Sequence, residues 1–135
     1  MKISEFVNTY IEVRPAWLVL EDDQVTRNCF KAIRFYCGYA NLSNVDLEDD
    51  EIHSAIGSGV EIDSENDFDI TLSEWAIIRP LFDLYCEHEN AAILEQTRGQ
   101  GLDVFGRQVS EIQMDIREYE QNMHYQAFSE PFFTV

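Results

Sequence analysis

The chain has 135 residues, 45% hydrophobic and 13% aromatic, with 26 acids against 9 basic residues and a formal net charge of −17. That length fits one domain with enough apolar material for a core, which excludes wholesale disorder. The charge excludes non-specific nucleic-acid binding, which needs Lys and Arg to neutralise phosphates, and it excludes adhesion to anionic membranes.

No apolar run approaches the roughly 18 residues of a membrane span. The opening Met1-Lys2-Ile3-Ser4-Glu5 lacks the apolar stretch of a signal peptide, so a soluble, intracellular protein is expected. Cys29, Cys37 and Cys86 form no CxxC pair, and buried reduced thiols are the expected state.

Phe6, Val7, Tyr10 and Ile11 make one stripe of a helix from Ser4 to Val13, with Ser4 as N-cap. Pro15 stops it, and Ala16 to Leu20 is a short apolar connector. A second helix spans 23–40: Asp22 or Asp23 caps it, and Val25, Cys29, Ile33, Tyr36, Cys37 and Ala40 recur at helical spacing. Arg27, Lys31 and Arg34 lie largely outside that stripe, and Gly38 starts the C-cap.

Residues 41–70 change character. Between Arg34 and Arg79 there is no Lys or Arg but there are eleven acids, including the run Asp46-Leu47-Glu48-Asp49-Asp50-Glu51. The segment is expected to be a solvated, mobile acidic insertion, with one short strand at Val60 and Ile62. The acids Asp46, Glu48, Asp49, Asp50 and Glu51 are its candidate functional surface.

Thr71-Leu72-Ser73-Glu74 fits a T-x-x-E capping box, in which hydroxyl and carboxylate each satisfy an orphan N–H. A third helix follows, apolar over more than half its circumference and so packed on two sides. Pro80 lies inside it, and Gly99 and Gly101 end it. A fourth runs from about Arg107 to Met123. Val109, Ile112, Ile116, Tyr119 and Met123 form a narrow a/d seam there, which implies a helix lying on one surface, of its own chain or of a neighbour. The tail 125–135 carries Phe128, Pro131, Phe132 and Phe133. It reads as an extended arm that needs a surface to cover it, either its own core or a partner. The fold expected is mainly α: a small bundle of about four helices at 1–124, with the acidic insertion and the arm.

Candidate chemistry is sparse. Asp63 to Glu74 has the twelve-residue length of an EF-hand loop with oxygen donors at several ligand positions, but Phe68 stands where the sharp turn wants Gly. A helix-capping acidic loop is the better reading. Cys86 and His88 are i and i+2 on a helix and do not face each other, so no zinc site is expected. Gly99-Gln-Gly101 and Gly106 precede a helix, but no Lys follows and no strand comes before, so a turn is expected there and no phosphate cradle. No P-loop, Rossmann or metal signature is present, and the chain is expected to be neither an enzyme nor a cofactor binder.

Two stretches carry a resemblance: Thr71-Leu-Ser-Glu-Trp-Ala-Ile-Ile-Arg-Pro-Leu-Phe-Asp-Leu-Tyr85, and Phe105-Gly-Arg-Gln-Val-Ser-Glu-Ile-Gln113 continuing to Tyr119-Glu120. With the order of elements, they resemble the small head-to-tail connector (adaptor, or head completion) proteins of tailed bacteriophages. That resemblance implies a virion structural protein of the neck, made in the host cytoplasm. It implies a homo-oligomeric ring, commonly a dodecamer, held between the portal protein and a tail-side connector or terminator protein. DNA would pass its acidic surface without specific binding. The resemblance offers no catalytic residues, and the segment 41–70 departs from the family's pattern, which leaves the lumen-facing element open. The arm and seam (Phe128, Pro131, Phe132, Phe133, Val109, Ile112, Ile116 and Tyr119) are the candidate partner-binding residues. Two competing expectations are an acidic DNA-mimic inhibitor of a DNA-binding enzyme, and an antitoxin or immunity protein that caps a basic partner.

Overall fold

The computed structural model describes residues 1–14, 16, 18–98 and 108–129. Among these it is mainly helical, with α1 at Ile3–Val13, α2 at Asp22–Cys37, α3 at Asp49–Ile56, α4 at Leu72–Arg98 and α5 at Val109–Ser129. The bundle therefore has five helices where about four are expected, and α3 is the extra one.

The long helix α4 is central and packs on both α2 and α5, which also touch each other. Its apolar residues run around much of its circumference, and Trp75, Ile78, Leu81, Phe82, Tyr85 and Cys86 are all buried. The α2 stripe meets it with Val25, Cys29, Ile33 and Tyr36. Helix α5 lies antiparallel to α4. Near one end Val109 N–H donates to Glu95 Oε1 at 3.2 Å, and towards the other the Tyr119 hydroxyl donates to the Ile77 carbonyl at 2.5 Å. Ile112, Ile116 and Met123 are buried, so the narrow seam serves the chain's own core. Helix α1 adds Ile3 and Val7 and stacks Phe6 on Trp75, ring centroids 3.7 Å apart.

The helix ends follow local rules, with shifts. Thr71 and Glu74 form the expected capping box: Thr71 N–H donates to Glu74 Oε1 at 2.9 Å, and Glu74 N–H donates to Thr71 Oγ1 at 3.2 Å. Gly38 is the C-cap of α2, which ends at Cys37 and not at Ala40. The N-cap of α2 is Glu21 and neither Asp22 nor Asp23; Glu21 N–H donates to Gln24 Oε1 at 2.8 Å. Ser4 does not cap α1. The helix starts at Ile3, and the Asp67 carboxylate accepts both Ser4 N–H (2.8 Å) and Ser4 Oγ–H (2.7 Å). A carboxylate sixty residues away satisfies orphan donors that no neighbouring side chain reaches.

The largest correction concerns residues 41–70, which are exposed at most described positions but anchored to the core. Leu42, Ile52, Ile56, Phe68 and Ile70 are buried in the core, and Asn66 is only 2% exposed. The i, i+4 pair Ile52 and Ile56 gives α3 an apolar side, although acids crowd its first turn. No strand forms at Val60 and Ile62 among the described residues; the one bridge pairs Lys2 with Asp69. The extended arm is also corrected in part, because α5 runs unbroken through Ser129, with no Pro before Pro131 to stop it. Phe128 sits on that helix, its side chain outside the described residues. Pro131, Phe132, Phe133 and the Gly99, Gly101 and Gly106 turn lie outside them as well.

Candidate interaction site

In so acidic a chain, where the cations go is informative. Arg27, Lys31 and Arg34 follow at i, i+4 and i+7 of α2, on one face. The fold turns that face onto a cleft of about 720 Å³ between α2, α4 and α5. The far wall is Tyr85, His88, Glu89 and Ala92 of α4 with Ile116 and Glu120 of α5.

Each cation there is held differently. The Arg27 guanidinium pairs with Glu89, whose other oxygen accepts Asn28 Nδ2–H at 2.6 Å. Asn28 is 5% exposed, and this bond answers its burial. The Lys31 ammonium lies 4.4 Å from the centre of the Tyr85 ring, a cation–π arrangement. The Tyr85 hydroxyl donates to Glu120 Oε1 at 3.0 Å. Burial, with the Glu120 charge behind it, pushes the Tyr85 phenol well above its ordinary value, so it stays a donor. Arg34 donates Nη2–H to the Gly57 carbonyl at 3.4 Å, while its buried Nε has no acceptor among the described residues. Gly59 makes that approach possible. Its φ is +72°, and a Cβ there would stand 3.0 Å from Arg34 Nη2. Lys31 and Arg34 thus have no carboxylate partner among the described residues.

The sequence-predicted acids lie elsewhere. Asp46, Glu48, Asp50 and Glu51 are exposed along the approach to α3 and its first turn; the side chain of Asp49 is outside the described residues. Leu47 among them is 39% exposed. Ile52 and Ile56 bind the other side of α3 to the core, so this is a fixed acidic edge. The seam residues are brought together but turned inward. Ile112 and Ile116 are buried, Val109 and Tyr119 half-buried, and a partner would reach them only by opening the α4–α5 pair.

Three acids of the loop 63–74 serve the backbone. Asp63 Oδ1 accepts Glu65 N–H at 2.8 Å and Asn66 N–H at 3.0 Å, Asp67 holds Ser4, and Glu74 Oε2 accepts Ser43 N–H at 2.9 Å. These carboxylates face different backbone donors instead of one ion, and among the described residues no three His, Cys, Asp or Glu side chains could hold a metal. Burial pushes the Cys86 thiol up to about 12 and raises Cys29 as well. Both keep their protons, the opposite of an activated nucleophile. The cationic cleft was the feature missed by reading charge as a total. Its signal was present in the i, i+4, i+7 spacing of three of the nine cations. No family model, no curated protein and no solved structure matches the chain.

Proposed function

We propose that the chain is a structural assembly protein, a subunit of the ring that joins portal to tail in the neck of a tailed phage. Its acidic surface would let DNA pass. The observation that carries the reading is the fixed acidic edge: Asp46, Glu48, Asp50 and Glu51 stand exposed while Ile52 and Ile56 tie the same segment to the core. Carboxylates held at set positions repel phosphates without a flexible segment collapsing onto them. The resemblance of Thr71–Tyr85 and Phe105–Gln113 to connector proteins gives the reading its particular form.

The same rigidity favours a second reading, the DNA-mimic inhibitor, because mimicry also needs carboxylates at fixed spacing. Light scattering over a wide concentration range, followed by electron microscopy, separates the two. Rings with an open centre wide enough for duplex DNA are expected of the connector. A compact dimer or a monomer at every concentration removes its support and leaves the inhibitor reading ahead.

A further inference from the structure

We infer that the cleft between α2, α4 and α5 is the receptor for the acidic edge of a second copy of this chain, so that copies join head to tail. The inference deepens the proposed ring and rests on that reading.

Two observations meet here. The first is the state of the cleft cations. Lys31 and Arg34 stand together on a cleft of about 720 Å³ with no carboxylate partner among the described residues; Lys2 and Arg117 lack one as well, but only Lys31 and Arg34 share a concave surface. The second is the acidic edge, where Asp46, Glu48, Asp50 and Glu51 are exposed and have no cation partner among the described residues. The chain cannot satisfy both needs internally. Ile52 and Ile56 fix α3 to its own core, and the only residue the cleft takes from the segment 41–70 is Ser58.

A second copy satisfies both at once. Its carboxylates meet Lys31 and Arg34, and its exposed Leu47 meets the apolar part of the wall at Ala92. Donor and receptor are different surfaces of one chain, so the contact is heterologous. It repeats from copy to copy and closes into a ring where the rotation permits. Net charge of like sign opposes the approach over long range. At physiological ionic strength that repulsion is screened beyond about 8 Å, whereas the cleft contacts act at hydrogen-bond distance.

The test is a reciprocal charge reversal on the full chain, read by sedimentation velocity at physiological and high salt. One variant carries Lys31→Glu and Arg34→Glu, the other Glu48→Lys and Glu51→Lys. The wild type should associate, and less so at high salt. Each variant alone should dissociate about tenfold or more readily. An equimolar mixture should associate again, because each cleft then finds an edge of opposite charge. Lys31→Glu alone serves as a folding control, since Lys31 is exposed and circular dichroism should not change. A wild type that stays monomeric, variants that associate like wild type, or a mixture that fails to recover would each overturn the inference. Rings that persist in both variants sink the cleft contact and leave the connector standing. Recovery in the mixture, with open chains and no rings, does the reverse.

Discussion

Two acidic stretches lie within thirty residues of each other and have opposite uses. In Asp46–Glu51 the described carboxylates point to solvent, and the one hydrogen bond they make there is local, Glu51 N–H to Asp50 Oδ1 at 3.2 Å. In Asp63–Glu74 three of the five replace missing backbone partners: Asp63 closes a turn, Asp67 caps α1, and Glu74 ties the start of α4 to Ser43. Composition does not separate the two stretches. What separates them is whether an unsatisfied N–H lies within reach, since a buried donor without an acceptor costs more than a surface charge gains. An acid that accepts from a donor distant in the chain is therefore part of the fold, and an acid with at most a neighbouring donor, such as Asp50, is available to a partner.

The comparison breaks most readily at Glu74, which is 3% exposed and accepts from two backbone N–H groups. Glu74→Ala should cost roughly 3 kcal/mol in urea unfolding; a loss below 1 kcal/mol, by the same reckoning, would return Glu74 to the surface class. Asp67→Ala should cost about 1–2 kcal/mol, as other lost N-caps do, and hydrogen exchange should quicken first at the start of α1.

A third test leaves both stretches untouched. The buried Cys86 thiol is raised to about 12 in the folded chain from 9.0, so the unfolded chain loses that proton first as pH rises. Its contribution is fully present below pH 9 and is lost between 9 and about 12. The slope is at most about 1.4 kcal/mol per pH unit. In Cys86→Ala the fall in stability from pH 9 to 10.5 should be shallower than in wild type, whatever the offset at neutral pH; an equal fall would refute the assignment. The smallest effect belongs to the free stretch. Glu48→Gln with Glu51→Gln should shift stability by no more than about 0.5 kcal/mol while weakening self-association. A large loss of stability would show that the edge is structural after all.

Much of the fold was legible in the chain. The capping box at Thr71 and Glu74 depends on residues three apart. The α2 stripe of Val25, Cys29, Ile33 and Tyr36 and the seam of Ile112, Ile116 and Met123 depend on helical period alone. The site was less legible. The seam stated that α5 covers a surface but not whose, and only packing against α4 answered that. Helix α3 was hidden because Ile52 and Ile56 are two apolar positions in a run of acids, too few to outweigh composition.

By itself, then, the sequence determined the helical class, four of the five helices, two of their caps and the excess of negative charge, because each follows from residues close together in the chain. Only the tertiary structure decided which acids are free, why Ser4 is held by Asp67, and that Arg27, Lys31 and Arg34 open onto one cleft. Those facts depend on groups tens of residues apart meeting at hydrogen-bond distance, and no local pattern encodes such a meeting.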